Sequence, residues 1–428
     1  MQSMTISHKI ELIPNNKHIT YFKKAFGCSR FAYNWGLAKW QEYYKQGVKK
    51  THLDLKKEFN AIKKEQFPFV YEVTKYATQQ PFLNLNLAFQ KFFRDLKQGK
   101  VSYPKFKKKK DNQGSFYLGG DIVKFESKNN KQFLKIPNLG SVKLRENLRF
   151  QGKINSCTIS QKANRFYASF SLEISESEFK RTHKDSKQTK LGLGIDVGLK
   201  SFVSLSNGLS IQAPKPLDKL TRRLKRVSRS LSKKQHPKTK SEAMQGIKKS
   251  NNYLKQSVKL NKLHTKIANV RNDFLHKLTS SLVRHYAYFG LENLNIKGLM
   301  KNHRLAKAIS DVSFYEFKRL LSYKAEYNNR RVIEADTFYP SSKTCSKCGS
   351  IKETLTLKER IYECENCGLK IDRDYNASLN LYNLIPQKIG QVLPEFTPAD
   401  LTALQYDLAI NNIATSKVET GIQQENYL

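Results

Sequence analysis

The chain has 428 residues, enough for two or three domains with hydrophobic cores. Lys and Arg outnumber Asp and Glu by 77 to 36, giving a formal net charge of +41, which few soluble proteins carry without a polyanionic partner. The sequence has neither an apolar run of about 18 residues nor a lipidation signature, which disfavours a membrane and leaves nucleic acid as the predicted partner.

The amino-terminal part is predicted to be one strand followed by helices. Residues 4–13 alternate in the manner of a β-strand, and helical patterns extend from residue 19 to about residue 96. Residues 19–44 carry aromatic side chains at helical spacing, and these are predicted to be core rather than base-stacking groups. They are Phe22, Phe26, Phe31, Trp35, Trp40 and Tyr44.

A lysine run, YPKFKKKKDNQG at residues 103–114, follows the helices. Such a run is typical of a solvated charged segment. With Tyr103 and Phe106 interleaved, it is equally compatible with a segment that grips a phosphate backbone. Residues 114–178 then change to short alternating strands, which predict a small β-barrel or sandwich that the first strand joins. The polar residues 179–189 are interpreted as a linker.

Asp196 lies in the middle of an apolar run between Gly194 and Gly198, and a second run, Ser201–Leu205, returns after a tight turn. This pattern predicts a hairpin with a buried carboxylate. A charged side chain there is costly unless it is paired or binds a metal. An ordinary Asp at a turn or strand end is the structural alternative.

A long basic insertion, residues 217–263, separates this hairpin from the next apolar strand. Its segments LTRRLKRVSRSL and KLNKLHTKIANVRNDFLHKL have helical periodicity, and the polar SKKQHPKTKSEAM lies between them. Two basic helices hinged on a loop can lie along a duplex groove. A solvent-exposed charged hairpin is the alternative.

Two further carboxylates stand at predicted element ends. Glu292 follows an apolar stretch where a central strand would end, and Asp374 precedes the helical pattern of residues 377–382. Each alone has an ordinary explanation, a strand exit or a helix cap with Asp372 beside it. Together with Asp196 they match two-metal phosphodiester hydrolysis, in which carboxylates hold two Mg²⁺ ions about 3.5–4 Å apart. The three carboxylates therefore predict a metal-dependent nuclease site.

Four cysteines form two CxxC pairs, Cys345/Cys348 and Cys364/Cys367, with fifteen residues between the pairs. This spacing is typical of a four-thiolate zinc site. Four thiolates complete the tetrahedral shell of zinc, so the ion is predicted to be structural. Disulfides are disfavoured because the first twenty residues lack the apolar core of a secretory signal.

The last segment, residues 386–428, is slightly acidic and has prolines at positions 394 and 398. It is predicted to be a mobile or lightly docked tail.

The chain resembles, over nearly its whole length, the transposon-encoded TnpB proteins, RNA-guided DNA nucleases related to compact type V CRISPR effectors. The resemblance rests on GCSRFAYNWGL, GIDVGLKSFVSLSNG, VRNDFLHKLTSSLV, LENLNIKGLMKN, FYPSSKTCSKCG and CENCGLKIDRDYNASLNL. It implies an α+β multidomain protein in which an RNase H-like (RuvC) α/β domain, residues 190–385, carries a basic helical insertion at 214–280 and a zinc ribbon at 340–371. It also implies a wedge β-barrel, residues 1–20 and 113–180, interrupted by a helical recognition insert at 21–112. A linker at 181–189 and the mobile tail complete the predicted organisation.

The resemblance implies that Asp196, Glu292 and Asp374 match the RuvC acidic triad of the family. Asp374 is preferred to Asp372 because the family pattern Asp-x-Asn-Ala falls on residues 374–377. Two positions depart from the family pattern: Asn293 stands where an acidic residue is usual, and Ser378 stands where a second Ala is common.

Ten residues are predicted to contact nucleic acid. Five of them match the family helix that reads the target-adjacent motif or lie near it, two belong to the lysine run, and three belong to the basic insertion. They are Lys75, Tyr76, Gln79, His52 and Lys56, then Lys105 and Lys107, then Arg222, Arg223 and Arg226.

The predicted function follows from the resemblance. A guide RNA, derived from the transposon end, would be held on the positive surfaces, while the protein reads only a short motif in double-stranded DNA and base pairing reads the rest. The predicted cofactors are Mg²⁺ at the triad, where one ion activates water and the other stabilises the leaving oxygen, and a structural Zn²⁺. The expected state is a monomer within a ribonucleoprotein, in the bacterial cytoplasm at the nucleoid, without a membrane.

Three rival hypotheses remain. A nuclease-inactive, RNA-guided repressor from the same family would normally have lost triad residues. A transposase that transfers DNA strands can also use an acidic triad on an RNase H-like fold. A CRISPR effector with array-derived guides would be chemically the same enzyme.

Overall fold

The structure is a computed structural model that describes residues 3–109, 113–182, 189–356 and 359–418. The chain divides into two compact units, residues 1–184 and 185–428. No described helix is long and apolar enough to cross a membrane.

The first unit contains a seven-stranded antiparallel sheet with the order β2-β6-β7-β1-β5-β4-β3. Its strands are β1 (Ser3–Ile13), β2 (Gln113–Gly119), β3 (Lys124–Lys128), β4 (Lys131–Ile136), β5 (Gly140–Leu144), β6 (Lys153–Lys162) and β7 (Arg165–Ser175). The strand predicted at residues 4–13 is observed as β1, whose alternate side chains Ile6, Ile10 and Leu12 are buried. Among the described residues no pairing joins β2 to β3, so closure into a barrel stays a prediction.

In the described part of this unit, four α-helices accompany the sheet: α1 (Asn16–Lys45), α2 (His52–Gln66), α3 (Lys75–Leu96) and α4 (Glu176–Thr182). The first half of α1 packs on the sheet, since the Phe22 ring lies 5.4 Å from that of Phe166 and 6.0 Å from that of Phe116. Its second half packs on α3, with the Trp40 ring stacked 4.2 Å from Phe89. The prediction that the aromatic residues of α1 are core is wrong for Tyr44. That residue is 80% exposed because it lies in the last helical turn, beside the exposed residues 45–50.

The predicted linker is wrong at its start. Residues up to Thr182 form α4, in which Phe179 is buried, and the carboxylate of Glu178 accepts a hydrogen bond of 2.7 Å from the backbone of Gln151. These contacts attach α4 to the rest of the first unit. Residues 183–188 of the predicted linker lie outside the described residues.

The second unit contains a six-stranded sheet with the order β12-β11-β8-β9-β10-β15. Its strands are β8 (Gly192–Val197), β9 (Val203–Leu205), β10 (Leu209–Ile211), β11 (Tyr288–Leu291), β12 (Arg331–Glu334) and β15 (Thr415–Lys417). β8, β11 and β12 are mutually parallel, while β9, β10 and β15 pair antiparallel. A separate hairpin is formed by β13 (Ile361–Glu363) and β14 (Lys370–Asp372).

The helices of the second unit are α5 (Pro216–Ser232), α6 (Lys240–Met244), α7 (Asn251–His285), α8 (Ile296–Leu299), α9 (His303–Val312), α10 (Phe314–Tyr327), α11 (Arg373–Ile389) and α12 (Pro398–Ile410). The two basic helices predicted in the insertion are observed as α5 and α7. The segment predicted to be only a polar separator also contains the short helix α6. The core combines buried side chains of the strands with those of α7, α10 and α12, including Phe289, Leu320 and Leu404.

The prediction of a mobile or lightly docked tail is wrong for residues 398–417, which are firmly packed. Leu404 and Leu408 of α12 are fully buried in the core of the second unit. Asp407 forms an ion pair with Arg284 of α7, and β15 pairs with β10 as the edge strand of the sheet. The segment is ordered because it covers apolar surface and completes a strand pairing. Residues 419–428 of the predicted tail lie outside the described residues.

We expect Leu404→Ala to destabilise the second unit by about 2–5 kcal/mol, because it removes a fully buried side chain and leaves a cavity. The thermal unfolding midpoint measures the effect. Tyr406→Ala changes the 70% exposed ring on the same helix and should shift stability by no more than about 0.5 kcal/mol. Equal midpoints for the two variants would show that α12 does not belong to the folded core.

Candidate metal centres

Asp196 and Glu292 lie at the same ends of neighbouring parallel strands. Asp196 is in β8, and Glu292 directly follows β11. The register pairs Ile195 with Leu291, so Asp196 and Glu292 are the next two residues side by side. The carboxyl ends of parallel strands are a common location for functional groups in α/β sheets.

Asp374 reaches the same place because α11 lies directly on these two strands. A Cβ atom added to Gly194 of β8 would be 1.9 Å from the backbone oxygen of Ser378, and one added to Gly290 of β11 would be 2.1 Å from that of Leu381. Only glycine permits this contact between helix backbone and strand. The first turn of α11, which contains Asp374, is therefore held at the strand ends.

The charges of neighbouring carboxylates affect Asp196 and Glu292. Burial raises the pKa of Asp196 well above its usual range, and the negative charges of Glu292 and Asp374 raise it further. Burial also raises the pKa of Glu292, against hydrogen bonding by Ser341 and the charge of Arg373, while the charge of Asp374 adds to the rise. Carboxylates whose negative charges raise the pKa of a neighbour favour a divalent cation, and carboxylate oxygens are the ligands that Mg²⁺ prefers.

The pKa of Asp374 is raised by burial first and by the charge of Asp372 second. The two acidic residues have different roles in the local structure. Asp372 is the N-cap of α11, and its Oδ1 accepts hydrogen bonds from the backbone N–H groups of Asp374 (3.0 Å) and Tyr375 (2.9 Å). The Asp374 side chain lies in the first helical turn, with its Oδ2 4.0 Å from the guanidinium of Arg360. This arrangement supports the preference for Asp374 over Asp372.

The four cysteines form a compact cluster whose Sγ atoms all lie within 4.8 Å of one another. The Sγ atoms of Cys345 and Cys367 are 3.6 Å apart, as are those of Cys348 and Cys364, so neither pair is a disulfide. Each CxxC turn ends at a glycine with positive φ, Gly349 (74°) and Gly368 (68°).

The donor set fits a structural zinc ion, as the spacing predicted. Backbone hydrogen bonding at Ser350 and the side-chain amide of Asn366 lower the pKa of Cys348 to about 6. Burial raises the pKa of Cys345 to about 12. All four cysteines of such a cluster can be thiolates only when a cation is bound, because metal binding displaces the thiol protons.

The residues predicted to read DNA lie on α2 and at the start of α3. Lys75 is exposed, with its Nζ 5.1 Å from the ring centroid of Tyr76. The Tyr76 hydroxyl donates a 2.6 Å hydrogen bond to Asp121, and Gln79, His52 and Lys56 are each half-buried. Tyr76 is thus fixed against the loop that follows β2.

The lysine run is attached to α1 at one residue, Lys107, and is therefore not freely solvated along its whole length. The Lys107 backbone exchanges hydrogen bonds of 2.7 and 2.9 Å with the Asn34 side chain of α1, and its Nζ lies 3.9 Å from the ring centroid of Tyr33. Lys105 is exposed. The segment therefore presents some lysines outward from a fixed backbone.

Basic and polar residues that the sequence prediction missed line grooves next to the predicted nucleic-acid contacts. The predicted residues Arg222, Arg223 and Arg226 are exposed on α5. A groove on that helix also includes Arg229 and Lys233, which were missed. The spacing of residues 222, 226, 229 and 233 is a helical stripe, which the sequence could have revealed. In the first unit, a groove between α1, α3 and β2 is lined by Arg30, Gln80, Asn84 and Lys108 among others. The positions of Gln80 and Asn84, one helical turn apart, were the available signal.

Three sequence families match parts of the chain. Residues 1–49 match the helix-turn-helix domain of OrfB IS605, residues 169–303 match OrfB IS605, described as a probable transposase, and residues 314–381 match the Cas12f1-like TNB domain. In the structure, most of the first of these segments forms one strand and one long helix, β1 and α1.

The relatives cover most of the chain. A putative RNA-guided DNA endonuclease of Streptomyces pristinaespiralis is 30% identical over 385 residues, which are 89% of each protein. InsQ of Escherichia coli K12, also named a putative RNA-guided DNA endonuclease, is 27% identical over 87% of this chain and 90% of its own length.

Among solved structures, a cryo-EM structure of a Cas12f1–sgRNA–target DNA complex superposes with a TM-score of 0.55 at 14% identity, covering 89% of this chain and 99% of that chain. The molecule is thus an α+β protein with a Cas12f1-like fold and a four-cysteine centre. The sequence relatives are more specific. The chain belongs to the TnpB family.

Proposed function

We propose that this chain is an RNA-guided DNA endonuclease whose catalytic residues are Asp196, Glu292 and Asp374. The observation that carries the proposal is that Asp196 and Glu292 lie side by side at the ends of parallel strands, and that the charges of Glu292 and Asp374 both raise the pKa of Asp196. Relatives that align over most of the chain are named as RNA-guided DNA endonucleases, which supports the same conclusion.

The sheet of the second unit supports an RNase H-like assignment for residues 190–385. Numbered along the chain from β8 to β12, its five main strands lie in the order 3-2-1-4-5, with the second antiparallel to the first. The carboxylates stand on strand 1, after strand 4 and on α11. That is the arrangement expected of a RuvC-type nuclease core. The zinc ribbon, residues 340–371, is inserted between the fifth strand and α11.

The three carboxylates would hold Mg²⁺, which when bound supplies activation of water and stabilisation of the leaving oxygen in phosphodiester hydrolysis. The protein's own contribution is to orient the ligands. The Ser341 hydroxyl donates to Glu292, and the Asp372 cap fixes the turn that carries Asp374. The charges of Arg373 and Arg360 oppose the mutual repulsion of the carboxylates.

The nucleic-acid partners are assigned by charge and by the relatives. The basic stripe of α5 and the exposed lysines near residue 105 would hold the backbone of a transposon-derived guide RNA or of the guide–target duplex. Lys75, Tyr76 and Gln79, with His52 and Lys56, would read the short motif in double-stranded target DNA. The active particle would contain one copy of the protein and act on DNA at the bacterial nucleoid.

Sequencing the RNA that copurifies with the protein and then redesigning its guide segment tests the function. With Mg²⁺ present, the ribonucleoprotein should cut a plasmid at the site matching the new guide, beside one short motif, and EDTA should stop the cutting. RNA-directed binding without cutting would instead indicate a repressor. RNA-independent joining of terminal DNA to a target would indicate a strand-transferring transposase.

A further inference from the structure

The loop between β12 and the first cysteine pair contacts one of the proposed catalytic carboxylates, Glu292. Ser341, which is 2% exposed, donates a hydrogen bond from its hydroxyl to Oε1 of Glu292. The sequence alone assigns Ser341 no role. Its hydroxyl is a buried donor directed at a partly buried acceptor, and removing it would leave this carboxylate oxygen without that partner.

Two asparagines of α11 hold this same loop. The Nδ2 of Asn380, a residue 3% exposed, donates to the backbone oxygens of Ser341 (2.7 Å) and Thr344 (2.6 Å). The fully buried Asn376 donates from its Nδ2 to the oxygen of Thr344 (2.7 Å) and accepts from the backbone N–H of Ser346 (3.0 Å). The two asparagines are one helical turn apart, so they form these hydrogen bonds with residues 341–346 from one face of α11.

These contacts join the zinc centre to the carboxylates. Cys345 lies between Thr344 and Ser346, the two residues that Asn376 holds, and Asp374 lies two residues before Asn376 in the same helix. Ser341, at the other end of the held segment, contacts Glu292. The first cysteine pair, Asp374 and Glu292 are thus linked through buried and partly buried hydrogen bonds.

We propose that Ser341 is a positioning residue for Glu292, and that Asn376 and Asn380 tie the base of the zinc ribbon to the catalytic carboxylates so that the folded ribbon fixes their geometry. The inference rests on the proposed nuclease function. A glutamate has three rotatable side-chain bonds, and Glu292 is repelled by Asp374. Without the Ser341 donor, the carboxylate is free to turn away from its neighbours and binds a shared cation less tightly.

Ser341→Ala in the assembled ribonucleoprotein tests the proposal. Since residues that orient metal ligands typically change metal affinity or activity about 10–100-fold, the Mg²⁺ concentration for half-maximal cleavage should rise by about that factor. At low Mg²⁺ the cleavage rate should fall, with target-DNA affinity unchanged. Mn²⁺ binding, measured by electron paramagnetic resonance without any cleavage, should weaken to match. Zinc content should equal that of the wild type.

Two substitutions at the same position keep the test decisive. Ser341→Thr retains the hydroxyl and should restore the Mg²⁺ requirement towards the wild-type value. Ser341→Cys keeps the size of the side chain with a weaker donor and should be intermediate. Ser342→Ala is the matched control, because within the described residues the hydroxyl of Ser342 makes no hydrogen bond.

A purely structural role for Ser341 would overturn the proposal. In that case Ser341→Ala would lower the melting temperature or zinc content while the remaining folded protein kept its wild-type Mg²⁺ requirement and Mn²⁺ affinity. Wild-type behaviour in every assay would overturn it equally. Both outcomes differ from failure of the nuclease assignment, in which the wild-type ribonucleoprotein itself would not cut DNA.

Discussion

Asp196→Ala is expected to lower guided DNA cleavage by roughly 10⁴-fold, the size of loss seen when a central catalytic group is removed. Asp196 is the carboxylate whose pKa the charges of both others raise, so its removal takes away the proposed ligand that interacts with both of them. RNA binding should persist, because the side chain lies among the carboxylates and not on the basic stripe of α5. Plasmid cleavage and an RNA-binding assay on the same preparation measure the two properties separately.

Glu292→Ala and Asp374→Ala should have the same effect on cleavage. Asp273→Asn is a suitable control, because it neutralises an exposed carboxylate of α7 that pairs with Lys277 in the same unit. It should cut as the wild type does. Retained cutting by any of the three triad variants would refute the catalytic assignment of that residue.

The choice between the two acidic residues at the start of α11 can be tested in the same assay. Asn is as good an N-cap as Asp, so Asp372→Asn should preserve the helix start and the cutting activity. Asp374→Asn keeps the shape of the side chain but removes a charged ligand, and should be inactive. The reverse pattern would move the third catalytic role to Asp372.

Regular patterns made much of the fold predictable. The alternation of β1, the β8–β9 hairpin around Asp196 and the long periodic helix α7 each express one short-range rule, so each could be found from sequence alone. The cysteine spacing is equally local, because two CxxC turns define the ligand geometry wherever the ribbon is placed. The convergence of the three carboxylates is not local, so its prediction depended on their joint match to two-metal chemistry and on the resemblance to the family.

Features set by tertiary contacts were missed. Leu404 and Leu408 stand out only once the core that covers them is known, and the three-residue β15 is too short for a periodic signal. Ser341 and Asn380 are ordinary polar residues in the sequence. Their role depends on backbone oxygens and a carboxylate that the fold brings to them.

The four-cysteine zinc site is the second place where a single substitution should have a large effect, here on the stability of the fold. Elemental analysis of the purified protein should find about one zinc ion per chain, since four thiolates complete one tetrahedral site. Binding of structural zinc is worth about 10–16 kcal/mol in small zinc domains, and where the site forms only on folding this energy belongs to folding. Absence of zinc from freshly purified protein would contradict the assignment.

Cys348→Ser should therefore lose the ion, lower the melting temperature of the second unit and open residues 340–371 to limited proteolysis. Lys347→Ala changes an exposed side chain in the same turn and should keep zinc and melt with the wild type. Because the hydrogen bonds of Asn376 reach the residues on both sides of Cys345, loss of the ribbon should also raise the Mg²⁺ requirement of any remaining cleavage. A zinc-free variant with wild-type stability and a wild-type Mg²⁺ requirement would show that the ribbon does not position the carboxylates. The geometry of the catalytic centre would then be determined by β8, β11 and α11 alone.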